Sequence, residues 1–329
     1  MKFKNIALLI IRLLIGLMFI TTAVLKLLSI DQFEIYIYSF NLFNFVTATI
    51  LARLLICAEF ILGGFLIFKI LYKPTWWLTM AMMVGFTLFL IYVSIFRNDS
   101  NCHCFGDFVE LDPTDSIIKN VVTIILLLLI RRSHDGFFKG KTLVIWSIPI
   151  LAIILTFGLF VPDSLYNQFR SKHHNFNAIY FDKIQKDTIL NTTLTDINFL
   201  SQNEKDTIVF TRSKSTLIID DGRYIMGFMA SDCKFCRLSI RKLNAIFERN
   251  QINRDHCILF LLGSNGSISS FLKETNALQY QYRLLDPISA INLTYGKFPT
   301  FILFENHKVI KTLDYREISE SEINDFLKP

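Results

Sequence analysis

The placement of apolar residues constrains this chain more than anything else in it. Five apolar runs, near Ile6–Leu28, Val46–Leu71, Trp76–Ile95, Ile117–Ile130 and Leu143–Val161, crowd into the first 162 residues, while the rest reads like a water-soluble domain. An α-helix rises about 1.5 Å per residue, so about 20 apolar residues cover a hydrocarbon core roughly 30 Å thick. The spacing therefore predicts five membrane crossings, the fourth being the shortest. The first run carries Arg12, is followed by further runs and has no A-x-A site, so it is expected to be retained and not cleaved as a signal peptide.

Charge placement orients these runs. Lys2, Lys4, Lys69, Lys73, Arg131, Arg132, Lys139 and Lys141 fall on one side, whereas the 30–45 loop has no Lys or Arg and the 97–114 loop has only Arg97. The positive-inside rule then places the amino terminus in the cytoplasm, and five crossings carry the second half of the chain to the outer face of a bacterial inner membrane. A net charge of +6, spread singly or in pairs at run ends, reads as topology and excludes a nucleic-acid partner. Trp76 and Trp77 fit an interfacial aromatic belt. Arg12, Arg53 and Glu59 lie inside runs, and Arg12 and Glu59 sit at similar counted depths, so they are expected to pair. Cys57, mid-run, reads as a small packing residue.

Four of the six cysteines form two close pairs, Cys102 and Cys104 in "SNCHCFGDF" and Cys233 and Cys236 in "SDCKFCR". With the predicted topology both pairs face the same oxidising compartment. The second pair follows "RYIMGFM", a continuous apolar run of the kind a strand buried on both faces shows, and precedes a helix with Ile240, Leu243, Ile246 and Phe247 at helical spacing. Downstream come a strand from Cys257, a helix around Ser267–Glu274, the strand "YRLLD", a helix near Ile288–Leu293, a hairpin turning near Asn306 and a closing helix. That order is thioredoxin-like. C-x-x-C at a strand-to-helix junction sets the first thiol at a helix amino terminus, which stabilises its thiolate. Cys233 is thus expected to attack and Cys236 to resolve the mixed disulfide, with Lys234 adding positive charge and Pro299 facing the pair. Haem needs His after the second cysteine, and Arg237 stands there.

A disulfide between residues i and i+2 closes a strained ring, a poor staple but a good exchange partner. Asn101 and Gly106 supply the tight backbone, and the open alternative is copper or zinc held by Cys102, His103 and Cys104. Residues 163–187 look like an extracytoplasmic linker whose extended reach brings the outer domain, residues 188–329, to this loop; strands are also expected within 188–220.

"RLLIGLMFITTAVLK", "CAEFILGG" and "NCHCFGD" together resemble the MauE branch of the DoxX-like membrane proteins, over about residues 5–132. The resemblance implies a four-helix membrane unit (1–132) associated with disulfide formation in exported proteins, similar in its helical core to the vitamin K epoxide reductases, with a fifth span at 133–162. It marks Cys102 and Cys104 as redox-active and Arg12 and Glu59 as intramembrane family positions. The second half resembles the thioredoxin superfamily at Cys233, Cys236 and Pro299, although Gly227 replaces the buried acid usual in thioredoxins proper. The expected architecture is an α-helical transmembrane bundle followed by an α/β thioredoxin-like domain. The expected function is thiol-disulfide exchange, with electrons from exported cysteine-containing clients passing through Cys233 and Cys236 to Cys102 and Cys104 and on to the quinone pool. The rivals are a metal-handling membrane protein and a binding module with a structural disulfide.

Overall fold

The computed structural model describes residues 2–97, 112–131, 141–163, 166, 176–186, 195–196, 213–214 and 221–328. The chain divides into two compact units, Met1–Pro162 and Asp163–Pro329.

The first unit is helical: α1 (Lys2–Leu28), α2 (Ile30–Tyr38), α3 (Phe45–Phe68), α4 (Tyr72–Phe96), α5 (Pro113–Ile130) and α6 (Lys141–Ile153), the last continuing as a π-helical stretch Ile154–Leu159. Three helices, Asn5–Leu28, Phe45–Phe68 and Tyr72–Phe96, are long and apolar enough to cross a membrane, and Ile145–Leu159 is a shorter apolar helix. The expected count of five crossings is thus met by three among the described residues. A helix also occupies much of the segment expected to be the 30–45 loop. Its Ile30, Phe33, Tyr36 and Tyr38 are buried, and its Glu34 pairs with Arg53 of α3.

Glycine sets the closest approach in this unit. A Cβ on Gly16 would lie 2.9 Å from the Gly63 carbonyl oxygen and 2.6 Å from Ile67 Cγ1, and one on Gly63 would lie 2.9 Å from the Gly16 carbonyl oxygen. Only bare backbone allows α1 and α3 to meet so tightly, as small residues do between helices in lipid. Hydrogen bonds tie α4 to α5: Tyr72 Oη donates to Ile130 O at 2.6 Å and Trp76 Nε1 to Leu127 O at 2.8 Å. Trp76 is consequently buried, not a belt residue, while its neighbour Trp77 is exposed.

In the second unit a mixed sheet is built from β3 (Arg223–Ala230), β4 (Cys257–Leu262), β5 (Gln281–Leu284), β6 (Thr300–Glu305) and β7 (Lys308–Leu313), after two short paired strands β1 (Thr195–Asp196) and β2 (Ser213–Lys214). The strand order is β5-β4-β3-β6-β7. β3 runs parallel to β4 and antiparallel to β6. Helices α8 (Lys234–Asn250) and α9 (Asn265–Glu274) make the parallel crossovers, α10 (Pro287–Thr294) leads back across the sheet, and α11 (Glu320–Leu327) closes the chain. Right-handed crossovers place α8 and α9 on one face. The other face carries Met226, Phe228, Ile258, Phe260, Ile302 and Phe304 in a cluster with Leu293 of α10. Phe228 and Phe260, opposite each other in register, stack at 4.9 Å.

Phe181 joins that cluster from helix α7 (Ala178–Lys186) and is 1% exposed. Part of the segment expected to be an extended linker is therefore folded onto the sheet. Asp163, where the linker was expected to begin, is held by Lys242 at 3.5 Å and Arg316 at 3.3 Å.

Candidate active site

Strand β3 ends at Ala230, and the backbone turns at once into α8. The turn is fixed at both sides: Ser231 N–H donates to Leu262 O at 2.9 Å and Cys233 N–H to Ala230 O at 3.1 Å. Cys233 is the residue preceding the first helical turn, with extended φ −80° and ψ 118°, and its Sγ accepts the Cys236 N–H at 3.3 Å. In most helices a Ser, Thr, Asp or Asn oxygen takes that unpaired N–H. Here a sulfur does, so the backbone that starts the helix also stabilises a thiolate. Because Phe228 pairs with Thr300 in register, Pro299 falls beside the end of β3. The Phe298–Pro299 peptide is cis, and Cys233 Sγ lies 3.8 Å from Phe298 O.

Both sulfurs are free thiols in this structure, Cys233 partly exposed and Cys236 fully buried. The hydrogen bond from the Cys236 thiol lowers the Cys233 pKa to about 6, with the Cys236 and Phe235 N–H groups and the Arg237 charge adding to it against the opposing effect of burial. Burial pushes Cys236 far in the other direction, reinforced by the neighbouring sulfur. At pH 7 Cys233 is then mostly thiolate while Cys236 keeps its proton. The cation that acts on Cys233 is Arg237 and not Lys234, which the sequence singled out. Arg237 Nε is itself held by Glu274 at 3.1 Å. Phe235, between the cysteines, is 42% exposed and stacks on Tyr315 at 4.7 Å. Nothing in the linear pattern brought Tyr315 to the dithiol.

Gly227 shows why no acid stands beneath the pair. A Cβ there would lie 2.9 Å from the Phe301 ring and 2.7 Å from Met229 Cε, so an Asp or Glu side chain finds its place already filled. Cys257 is buried, and burial raises its pKa.

In the first unit Glu59 is not paired with Arg12. Its carboxylate pairs with Lys26. Arg12 lies one turn to one side of the Gly16–Gly63 crossing and Glu59 one turn to the other, which separates them by roughly 12 Å along the helices. Counting depth from run ends missed this because glycine contact, not run length, sets the register. Lys26 and Glu59 instead line a cavity of about 370 Å³, with Thr22, Lys119 and Asn120 also on its lining and Phe33, Phe40, Phe86 and Phe89 among its apolar walls. Glu59 Oε2 is buried with no hydrogen-bond partner among the described residues. The other buried pair, Arg53 with Glu34, has further hydrogen bonds: Thr49 Oγ1 donates to Glu34 Oε2 at 2.9 Å and Arg53 Nη2 to Phe160 O at 3.1 Å. Cys57 Sγ lies 2.9 Å from Thr156 Oγ1.

Cys102, His103 and Cys104 lie outside the described residues. Among the described residues no group of three His, Cys, Asp or Glu side chains is placed to hold a metal ion.

Residues 4–131 match the family model of methylamine utilisation protein MauE. Over 308 residues the chain is 28% identical to Protein TlpB of Flavobacterium psychrophilum, covering 84% of this chain and 82% of that protein. A solved structure, that of a secreted Mycobacterium tuberculosis disulfide oxidoreductase homologous to E. coli DsbE, is similar over 32% of this chain and 78% of its own, at 15% identity and a TM-score of 0.27.

Proposed function

We propose that this chain is a membrane-anchored thiol-disulfide oxidoreductase that oxidises exported proteins through two dithiol centres in series. The observation that carries this reading is the asymmetry of the pair at the start of α8, with Cys233 lowered to about 6 and Cys236 buried and raised. In the oxidised state a client thiolate attacks Cys233 of the Cys233–Cys236 disulfide, and the client's second thiolate then displaces Cys233 from the mixed disulfide. A sulfur of low pKa leaves readily. The client loses two electrons and two protons and gains a disulfide, and Cys233 and Cys236 gain the electrons.

The Cys233 thiolate next attacks a disulfide between Cys102 and Cys104, and Cys236 resolves that bond, so the same two electrons pass to the C-x-C pair. The family match over residues 4–131 supports giving the membrane unit this partner role. A five-span topology with the amino terminus in the cytoplasm puts both pairs in the periplasm, and the arrangement of Lys and Arg supports it. The last acceptor in the series is a lipid-soluble quinone. The aromatic cavity lined by Lys26 and Glu59 has the size and character of a small-molecule site, which typically spans about 300–1,000 Å³.

Cys236→Ser, which leaves the attacking sulfur in place and removes the one that resolves it, tests the proposal. Purified from membranes, this variant carries Cys233 in a mixed disulfide with Cys102 or Cys104, unresolved for want of Cys236, that reductant releases. Recovery of the variant free of any adduct, with client thiols oxidised as in the wild type, overturns the reading.

A further inference from the structure

We infer that Arg12 anchors a site for the phosphodiester of an anionic phospholipid, at the end of the first unit where Lys69, Lys73 and Arg131 stand. Among the described residues of this unit three cations are buried, Arg12, Lys26 and Arg53, and two acids, Glu34 and Glu59. Lys26 takes Glu59 and Arg53 takes Glu34. Arg12 is left over: it is 8% exposed, its Nε is buried without a hydrogen-bond partner, and it has no ion pair among the described residues. A buried lysine can shed its proton, but a guanidinium stays charged, so its counter-ion has to come from elsewhere. The chain around it offers none, since residues 1–30, 60–98 and 116–134 contain no Asp or Glu.

The glycine crossing shows where this charge stands. Gly16 faces Ile67 and Gly63 faces Ile20, so α1 and α3 run antiparallel. One turn toward the start of α1, Arg12 therefore comes level with the end of α3 at Phe68 and with the corner that leads into α4. Tyr72, the first residue of α4, is within electrostatic reach of the guanidinium, and its hydroxyl donates to Ile130 O at the end of α5. Two further cations lie over aromatic rings at this end. Lys69 Nζ is 5.7 Å from the centre of the Tyr72 ring, and the Arg131 guanidinium is 5.6 Å from Trp76 and 5.8 Å from Trp77. Phe68, Leu71 and Trp77 are exposed beside them.

A phospholipid meets each of these features. Its phosphodiester accepts the two parallel N–H bonds that a guanidinium offers, and its acyl chains cover the exposed apolar side chains. Basic pockets between helices at the cytoplasmic edge of a membrane recur as headgroup sites, and the topology proposed above puts this end there. Lys69 and Arg131 also choose among headgroups: they repel the ammonium of a zwitterionic lipid and leave a glycerol headgroup undisturbed. Inorganic phosphate has the same anionic oxygens but nothing to cover Phe68, Leu71 and Trp77.

Native mass spectrometry of the full chain, released from detergent micelles that hold equal amounts of phosphatidylglycerol and phosphatidylcholine, counts the lipids retained. The wild type is expected to keep one phosphatidylglycerol per chain, with a preference over phosphatidylcholine of at least about tenfold. Arg12→Met removes a charge that has no protein partner to strand, so it is expected to fold and to lose that preference. Arg12→Lys, which keeps the charge and loses the fork, is expected to weaken it severalfold. Lys4→Gln, which removes the same unit of charge near the amino terminus, is expected to leave it unchanged.

No retained phosphatidylglycerol, or an unchanged preference in Arg12→Met, overturns the site. Equal losses in Arg12→Met and Lys4→Gln show general attraction to a basic surface and overturn it as well. Full retention in Arg12→Lys overturns the bidentate contact. Displacement of the lipid by millimolar inorganic phosphate overturns the assignment to a phospholipid, because a free anion then suffices.

Discussion

The Cys233 thiolate and the Glu59 carboxylate are both anionic groups set against apolar packing, and the two units hold them by different means. At Cys233 local hydrogen bonds do most of the work: the neighbouring Cys236 thiol donates, the helix start adds unpaired N–H groups, and Arg237 contributes from one turn away. Around Glu59 every backbone N–H of α3 is already committed to its own helix, so the counter-charge has to be a side chain, Lys26 of α1. A water-facing unit can make an anion reactive by exposing part of it. A lipid-facing unit keeps its anion by pairing it with a side chain.

The largest effect that would break this comparison comes from the sulfur itself. Cys233→Ser is expected to lower client oxidation by roughly three orders of magnitude or more, since the attacking group is gone. Client thiols counted by alkylation during a timed reaction measure it, and a rate within tenfold of wild type would mean that the outer dithiol is not the entry point.

Charge pairing in the first unit should show next. Lys26→Met alone leaves Glu59 unpaired and buried and is expected to cost about 3–5 kcal/mol, whereas Lys26→Met with Glu59→Leu is expected to be near neutral. Thermal unfolding of the detergent-solubilised protein compares them. Equal destabilisation by the single and double changes would show that the pair contributes packing and not charge. A smaller loss, about 1–3 kcal/mol, is expected for Gly63→Val, whose side chain meets the Gly16 carbonyl oxygen and must push α1 and α3 apart.

How far the sequence announced all this differs between the same two regions. In the second unit the strand and helix signals were local. A continuous apolar run marked β3, helical spacing of Ile240, Leu243, Ile246 and Phe247 marked α8, and Asn306, with φ 46°, marked the hairpin turn. The dithiol sits between two such signals and so was legible with them. Its surroundings were not: Tyr315 stacks on Phe235 only through the return of the chain after β7, and no period in the sequence encodes that. Helix α7 escaped because a single turn side, Phe181, is buried while Ile179 is 84% exposed, which reads as no pattern at all. In the first unit almost every residue is apolar, so periodicity identifies helices without saying which faces meet. Register between α1 and α3 came from two glycines, and the partner of Glu59 followed from it. Glu34, an acid between Phe33 and Ile35 in α2, was the available clue to the second pair.

The smallest effect sharpens the comparison most, because it asks whether Cys233 owes its low pKa to backbone or to side-chain charge. A depressed thiol pKa means that reactivity toward iodoacetamide is present above the midpoint and is lost as pH falls through it, so the reduced protein should alkylate at Cys233 with a midpoint of about 6, far below the usual thiol value. Arg237 contributes least to the lowering, behind the Cys236 thiol and the two N–H groups. Arg237→Gln is therefore expected to raise the midpoint by less than about one unit, with Lys234→Gln raising it less still. A rise of two units or more in Arg237→Gln would show that a side-chain cation, as at Glu59, and not the helix start, is what holds the thiolate.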